Sequence, residues 1–304
     1  MKTGKMPGGA SGVAKGILCV LLGLSASMCG SDSGGPHSEE DAAGGGLSLL
    51  LVDDPIDTVT RLNVTIDSIE AHGNGPPRQL RLNEDVEQPV NILALENGVF
   101  ATLVDGNENE NVLPAGTYGN LKIRISDASV NLTEEPEEVP TPATVPPDKF
   151  NVAGPFTITD GQITELYLVF HANNAVRRHA EGQYWIHPAL KIAAKTVSGS
   201  VTGAVSPAPG ESGGEVTRVK VLADRGTEDE ASAFAAADGS FALLPLREGT
   251  HAISVEWITS VGGVVSGCRL HEHGQVSVVA GQATDVGTIP LLEADPECMV
   301  RRDI

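Results

Sequence analysis

Between Leu47 and His72 the chain reads LSLLLVDDPIDTVTRLNVTIDSIEAH, and this stretch limits the fold more tightly than any other. Leu47 to Val52 is an unbroken apolar run, the pattern of a strand buried on both faces. Asp53, Asp54 and Pro55 are expected to end it, because Pro has no N–H for a ladder and Asp bonds nearby main chain. From Arg61 the order alternates: Leu62, Val64 and Ile66 face one side, Arg61, Asn63, Thr65 and Asp67 the other. Ile69 and Ala71 then continue at odd numbers. A one-residue slip would turn the apolar set outward, so the order predicts a bulge at Asp67–Ser68.

The segment before this strand reads as an export leader. Lys2, Lys5 and Lys15 precede the apolar core Gly16 to Leu24, which is too short to span a bilayer as a helix. Ser25-Ala26-Ser27-Met28-Cys29-Gly30 follows, and this order resembles a bacterial lipoprotein signal. The resemblance implies cleavage before Cys29 and lipid attachment to it; ordinary secretory cleavage near Ala26 or Ser27 is the alternative. Gly30 to Gly46 is Gly, Ser and acid with little to bury, the composition of a flexible spacer. The absence of Asp directly after Cys29 resembles an outer-membrane address, so the expected location is the bacterial outer membrane or cell surface, lipid-anchored.

Charge narrows the partners. The formal net charge is −20, and removing residues 1–28 takes away three Lys and no acid, moving it to −23. That argues against nucleic acid and anionic lipid headgroups as partners and keeps an exported protein soluble. With 35 Gly and 19 Pro and no long helical periodicity, the expectation is an all-β chain of two β-sandwich-like domains after a disordered N-terminal tether. The boundaries expected are 1–28 leader, 29–46 tether, 47–196 and 197–292 β domains, and 293–304 tail.

Within the first domain, Gly73 to Pro77 is a turn, and Val90 to Gly98 suits a short helical turn ending at Gly98. Leu113-Pro114-Ala115-Gly116-Thr117-Tyr118 is a tight turn into a strand. There Leu121, Ile123 and Ile125 alternate before Val130 and Leu132 change phase, which predicts a bend. Glu134 to Lys149 reads as a Pro-rich acidic loop that cannot form a central strand. Phe156 and Ile158, an Asp160-Gly161 turn, then Leu166, Leu168 and Phe170 form a hairpin signature. Tyr184 to Ile192 is a strand interrupted at Pro188. The LLVDDPID corner, VTIDSIEAH, VNILALENG, LPAGTYGNLKIRIS and LYLVFHANNAV…YWIHPALKI together resemble the bacterial family called domain of unknown function 4382. That resemblance implies an exported β domain and no activity. Members often carry an acid after the aromatic where this chain has Phe170-His171.

The second domain opens with Val197-Ser198-Gly199-Ser200-Val201-Thr202-Gly203-Ala204-Val205. Asp238-Gly239-Ser240-Phe241 follows, with a hairpin turn expected at Asp238-Gly239 and Phe241 in the core. Pro245-Leu246-Arg247-Glu248-Gly249-Thr250-His251 then leads into Ile253, Val255 and Trp257, with Gly249 permitting a sharp reversal. The order resembles the carboxypeptidase-regulatory-like domain, a small prealbumin-type sandwich, which implies a structural module and not a peptidase.

Candidate chemistry is sparse. There is no G-x-S-x-G, H-E-x-x-H, P-loop or G-x-G-x-x-G, so a non-enzyme is expected and a hydrolase is the weakest alternative. Cys268 and Cys298 remain after Cys19 and Cys29 are assigned to leader and lipid, and a disulfide is the preferred reading in an oxidising compartment. Asp53, Asp54 and Asp57 have the oxygen ligands calcium takes, although acids after a strand are ordinary turn formers; no other cofactor is expected. His271-Glu272-His273 offers two imidazoles with no third ligand, and a solvated turn is the preferred reading. The Glu134, Glu135, Glu137 and Glu138 run reads as solvated. Trp185 and Trp257 are the platforms on which sugar rings could stack, with core packing as the other reading. The function expected is a non-catalytic cell-envelope binding or spacer module, its partners the membrane through the lipid and a polysaccharide or another envelope protein. A carbohydrate-binding surface protein is the alternative.

Overall fold

The computed structural model describes residues 44–54, 59–73, 75–132, 140–146, 149–179, 183–209, 216–227, 229–261 and 264–291. The expected leader, Cys29, most of the tether, Asp57, Cys298 and the 293–304 tail lie outside them. The described residues are nearly all β, as the alternating pattern requires, and belong to one compact unit, Asp41–Ile304.

The first sandwich is built from β1 Gly44–Asp54, β2 Val59–Gly73, β3 Arg78–Leu80, β4 Val90–Asn91, β5 Ala101–Val104, β6 Val112–Pro114 and β7 Gly116–Leu132. It continues with β8 Thr141–Thr144, β9 Phe150–Ile158, β10 Ile163–His171, β11 Val176–Arg178, β12 Tyr184–Ile186 and β13 Leu190–Ala194. One sheet runs β13-β10-β1-β5, with β6 also on β1; the other runs β11-β12-β8-β7-β2-β3, with β4 on β2 and β9 on β7. The apolar run is the central strand β1, parallel to β10. Leu47, Leu49 and Leu51 enter the first core while Leu50 and Val52 are buried on the opposite face, which is why the run does not alternate.

Strand β1 starts inside the glycines expected to belong to the tether. A Cβ on Gly45 would lie 2.2 Å from the Thr159 carbonyl oxygen, and one on Gly46 2.1 Å from that of Gly106. Main chain crosses where any side chain would stand, so these glycines serve close packing rather than flexibility. Asp53 and Asp54 continue β1 rather than ending it.

The expected phase slip is present. Ile66 pairs with Ile125 and Ser68 with Arg124, leaving Asp67 as the extra residue. On the other side of Ile66, Thr65 pairs with Asp127, so Ser126 is the extra residue of β7. Each strand bulges where its own apolar order changes phase, and Leu62, Val64, Ile66, Ile69 and Ala71 all face the core.

Two further expectations fail. Phe156 to Phe170 is no hairpin: β9 pairs with β7 and β10 with β1, so the Asp160-Gly161 turn carries the chain from one sheet to the other. Phe156, Ile158, Leu166, Leu168 and Phe170 meet across the core instead of lying side by side on one sheet. The Pro-rich stretch does supply an interior strand, β8, between β7 and β12. Its ladder with β12 begins at Ala143, so Pro142 needs no N–H bond on that side. Pro188 marks a similar change of sheet, from β12 to β13.

A single turn, Lys195–Val197, leads to the second sandwich, held by Lys195 Nζ 2.8 Å from Glu165 Oε1. Its strands are β14 Ser198–Ser206, β15 Val216–Ala223, β16 Ala231–Phe234, β17 Ser240–Arg247, β18 Gly249–Val261, β19 Val264–Val278 and β20 Ala283–Pro290. The sheets run β17-β14-β20 and β16-β15-β18-β19 around a separate core that contains Phe241 and Trp257. The Asp238-Gly239 turn exists, with the Asp238 carboxylate accepting the Ser240 N–H at 3.0 Å, but it too joins strands of different sheets, not a hairpin.

The two sandwiches share one plan. Sheets β6-β1-β10 and β3-β2-β7-β9 have the same pairing, direction and chain order as β17-β14-β20 and β16-β15-β18-β19. Local details repeat. Gly161 N–H bonds the Gly44 carbonyl at 2.9 Å, and Gly281 N–H that of Ser198 at 2.8 Å. Thr164 and Thr284 each donate a hydroxyl at 3.0 Å to the carbonyl seven residues earlier. Leu113-Pro114-Ala115-Gly116-Thr117-Tyr118 and Leu246-Arg247-Glu248-Gly249-Thr250-His251 form the same corner, their glycines at φ 148° and 146°. The first copy differs by three additions: β4–β5, β8, and β11 to β13.

The first addition joins the copies. Asn97 and Gly98 adopt φ 55° and 84°, and Asn97 Oδ1 accepts the Ala242 N–H at 3.4 Å. A Cβ on Gly98 would stand 3.5 Å from Leu244 Cδ2. Burial pushes the Glu96 carboxyl up from its ordinary range, opposed by the charge of Arg218, whose guanidinium lies 4.1 Å over the Phe234 ring. The void left between Val52, Leu95, Ser232 and Leu244 is about 10 Å³, room for at most one water.

Candidate functional site

Strands β8, β12 and β11 widen the large sheet beyond the shared plan, and their outer face carries the candidate site. Antiparallel pairing sets Arg177 opposite Trp185, and parallel pairing sets Thr144 on its other side. Directly paired residues share a face, so Arg177, Trp185 and Thr144 form one outward row. His179 N–H bonds the Gln183 carbonyl at 2.7 Å and His187 N–H the Ala175 carbonyl at 2.8 Å, which extends the pairing to either side of that row. The alternating partners Val176, Tyr184 and Ile186 point into the core and fix the hairpin.

The rings form a column. His179 stacks on Trp185 with centroids 5.1 Å apart and planes 17° apart; His187 stacks on it at 6.0 Å and 26°. Both imidazoles are exposed and the indole is half-buried. The indole Nε1 is buried and has no hydrogen-bond partner among the described residues. Arg177 and Arg178 are exposed, and no ion pair engages Arg177 among the described residues. Further along the face, Asn63 Nδ2 donates to Ser129 Oγ at 3.4 Å.

The residues singled out in the sequence are scattered. Trp257 is 4% exposed inside the second core, so it offers no ring to a sugar. Trp185 is at the surface, but imidazoles stack on its ring. Asp53 is buried beside the junction of the two sandwiches; the Asp54 side chain and Asp57 lie outside the described residues, and no metal-sized cluster of His, Cys, Asp or Glu occurs among the described residues. His271 and His273 lie within β19 rather than in a turn. The register passes from Gly274 to Glu272, so His273 is the extra residue of a bulge and the regular alternation that would align two imidazoles is broken. Cys268, also on β19, lies opposite Ile258 of β18, and its expected partner Cys298 is outside the described residues.

A second concavity, about 180 Å³, lies between the Gly75-Pro76 turn and the Pro114–Tyr118 corner, with Arg78 at its rim. Tyr118 donates its hydroxyl to the Pro114 carbonyl at 3.1 Å and stacks on Phe156 at 5.3 Å. Burial raises its phenol above the usual range, with Arg78 opposing. The hydroxyl is committed to the fold, as in a tyrosine corner.

Sequence reasoning passed over Arg177, His179 and His187. RRH and IH look like ordinary solvated residues, and only the register brings them around Trp185. It also passed over Asn111, which is fully buried. Its Oδ1 accepts the Arg81 N–H at 2.8 Å, and its Nδ2 donates to the Arg81 and Asp105 carbonyls. Within a polar run nothing marks that Asn from its neighbours.

Residues 44–188 match the family model described as Domain of unknown function (DUF4382). No curated protein matches the chain. Among solved structures, a leucine-rich repeat protein from Bacteroides thetaiotaomicron VPI-5482 is 14% identical with a TM-score of 0.24, the match covering 84% of this chain and 27% of that one. The Bacillus anthracis TIE protein is 12% identical at a TM-score of 0.20, over 81% of this chain and 33% of that one. A streptococcal ancillary pilin is 12% identical at 0.18, over 81% and 62%. The chain thus spans a third or less of the first two, and likenesses of this size carry nothing about activity. No helix among the described residues is long and apolar enough to cross a membrane.

Proposed function

We propose that this chain, whose residues 44–188 match that domain of unknown function, is an exported, lipid-anchored, non-catalytic module that holds a binding face away from the cell envelope. The observation that carries this reading is the clasp between the two sandwiches. Asn97, Gly98, Glu96 and Arg218 join them within one compact unit whose first strand begins at Gly44, fifteen residues after Cys29. Such a body is a stiff spacer. Its interiors are filled by side chains, so recognition falls to its outer faces. The apolar core Gly16 to Leu24 and the Cys29 that follows support export and anchoring. The order of D-G-S-F and P-L-x-x-G-x-H, together with seven strands in two sheets, supports the prealbumin-type reading of the second sandwich.

Mass spectrometry of the mature N-terminus tests the anchor: a lipid-modified Cys29 is expected, and an unmodified start at Ser27 or Met28 overturns it. The non-catalytic reading fails if the chain turns over members of ester, peptide or glycan panels. Carbohydrate recognition is the second reading, favoured by the exposed rings around Trp185.

A further inference from the structure

We infer that the outer face of the added strands β8, β12 and β11 is a recognition surface for an anionic glycan, read by Arg177, His179 and His187. The inference rests on the binding-module reading and names its ligand class. Three observations support it.

The first is subtraction. Two sandwiches in one chain share seven strands, so whatever only one of them has is not required by the common fold. Of the first copy's additions, β4–β5 leads into the clasp, and β13 completes the sheet around β10. The hairpin β11–β12 reaches β7 only through β8; its inner residues Val176, Tyr184 and Ile186 anchor it on the core, and it widens the sheet and displays its outer row.

The second is charge. Residues 176–187 contain Arg177, Arg178, His179 and His187 with one acid, Glu181, in a chain of net charge −20. The Arg177 guanidinium, exposed and with no ion pair among the described residues, is complementary to carboxylate or sulfate, which a guanidinium binds through two parallel N–H donors. Long-range repulsion by the remaining acids is screened beyond about 8 Å at physiological salt.

The third is ring geometry. A sugar that stacks needs a free aromatic face, but His179 and His187 stack on the indole. The column therefore presents imidazole N–H groups and ring edges, positioned by Trp185, beside the guanidinium. Recognition by charge and N–H donors fits this arrangement, and stacking on a neutral sugar does not.

Binding of the full chain to immobilised polygalacturonate, dextran sulfate and neutral dextran tests the proposal, with circular dichroism confirming that each variant folds. Binding to the anionic polymers and not to dextran is expected, and the two anionic arms separate carboxylate from sulfate. Arg177→Ala should weaken binding on the order of tenfold, as loss of a charge-assisted contact does. His179→Ala with His187→Ala should weaken it further. Arg178→Ala is the control, because Arg178 pairs with inward-facing Tyr184 and lies outside the row. Equal binding to dextran, no binding to either anionic polymer, or equal effects of Arg177→Ala and Arg178→Ala overturns the proposal. So does anionic-vesicle binding through the same residues without polymer binding. None of these outcomes touches the non-catalytic, anchored reading, which the turnover panels and the N-terminus decide.

Discussion

Tyr118 and His251 hold the same place in the two sandwiches. Each follows a Gly-Thr pair and bonds the main-chain carbonyl four residues earlier, Tyr118 Oη to Pro114 at 3.1 Å and His251 Nε2 to Arg247 at 2.7 Å. His251 does more, since its Nδ1 lies 2.6 Å from Asp224 Oδ2, and Asp224 Oδ1 accepts the Ala252 N–H at 3.0 Å. Tyr118→Phe should therefore cost about 1 kcal/mol, and His251→Ala more, about 2–3 kcal/mol, because it also strips the Asp224 carboxylate of a partner. Urea denaturation measures both; equal losses would mean that the Asp224 contact contributes nothing.

Gly45 and Gly199 are also equivalent. A Cβ at Gly199 would lie 2.4 Å from the Val279 carbonyl oxygen, as one at Gly45 would lie 2.2 Å from that of Thr159. Neither carbonyl can move without breaking its turn. Gly45→Ala and Gly199→Ala should each cost about 2–4 kcal/mol, in the range of backbone-shifting overpacking. Gly119, with open space around it, should gain about 0.4–1 kcal/mol on conversion to Ala. Thermal denaturation of the three variants gives the comparison, and a neutral Gly45→Ala would refute the packing argument.

Gly98→Val should loosen the clasp. Its φ of 84° disfavours a branched residue by about 1–3 kcal/mol, and the side chain would press on Leu244 and Ala242. Calorimetry should show one transition in the wild type and two in the variant. A single transition in both would mean that the sandwiches do not rely on this contact.

Glu96 and Glu70 should shift stability in opposite directions with pH. Burial raises the Glu96 carboxyl, with Arg218 opposing, so the folded chain holds that proton more tightly than the unfolded one. Its contribution favours folding in acid and is lost as pH rises above the ordinary carboxylate range. Glu96→Gln should therefore gain stability over the wild type towards neutral pH and lose that advantage in acid. The Glu70 carboxyl is lowered, first by its hydrogen bond from Lys149, then by His72, against desolvation. Its stabilisation is present at neutral pH and fades as pH falls through its lowered range. Denaturation across pH 3–8 on the order of one-unit steps reads both, and parallel profiles for wild type and Glu96→Gln would overturn the first.

A Cys268–Cys298 bridge would close a loop of about thirty residues and stabilise the fold by about 3 kcal/mol. Peptide mapping without reductant should recover the linked pair, and two free thiols would remove the bridge from the account.

Much of the strand order was legible because side-chain alternation is a local property. The change of phase from Ile66 to Ile69 predicted a bulge, and the bulge falls at Asp67. What misled was pairing. A turn such as Asp160-Gly161 looks the same whether the next strand lies alongside or crosses to the facing sheet, since both strands then carry one apolar face. Pro142 in an interior strand was illegible for a related reason: whether its missing N–H matters depends on where the ladder with β12 begins. The duplication was hidden by unequal insertions. It survives mainly at corners and close contacts, where geometry restricts the choice of residue.

The site shows the same division. Leu222 and Ser254 are paired, buried and uncharged, whereas their equivalents in the first copy, Glu70 and Lys122, are polar and partly exposed. That contrast is written in the residues, but its cause, the covering of one outer face and not the other, appears only in three dimensions. By itself the sequence determined that the chain is β throughout, which side of each strand is apolar, and where phase changes force a bulge, because these follow from a period of two along the chain. Only the tertiary structure decided which sheet each strand joins, that Trp257 is core while Trp185 stands between two histidines, and that one fold occurs twice. A strand's main-chain hydrogen bonds accept any neighbour, so the choice is made by side chains far apart in sequence.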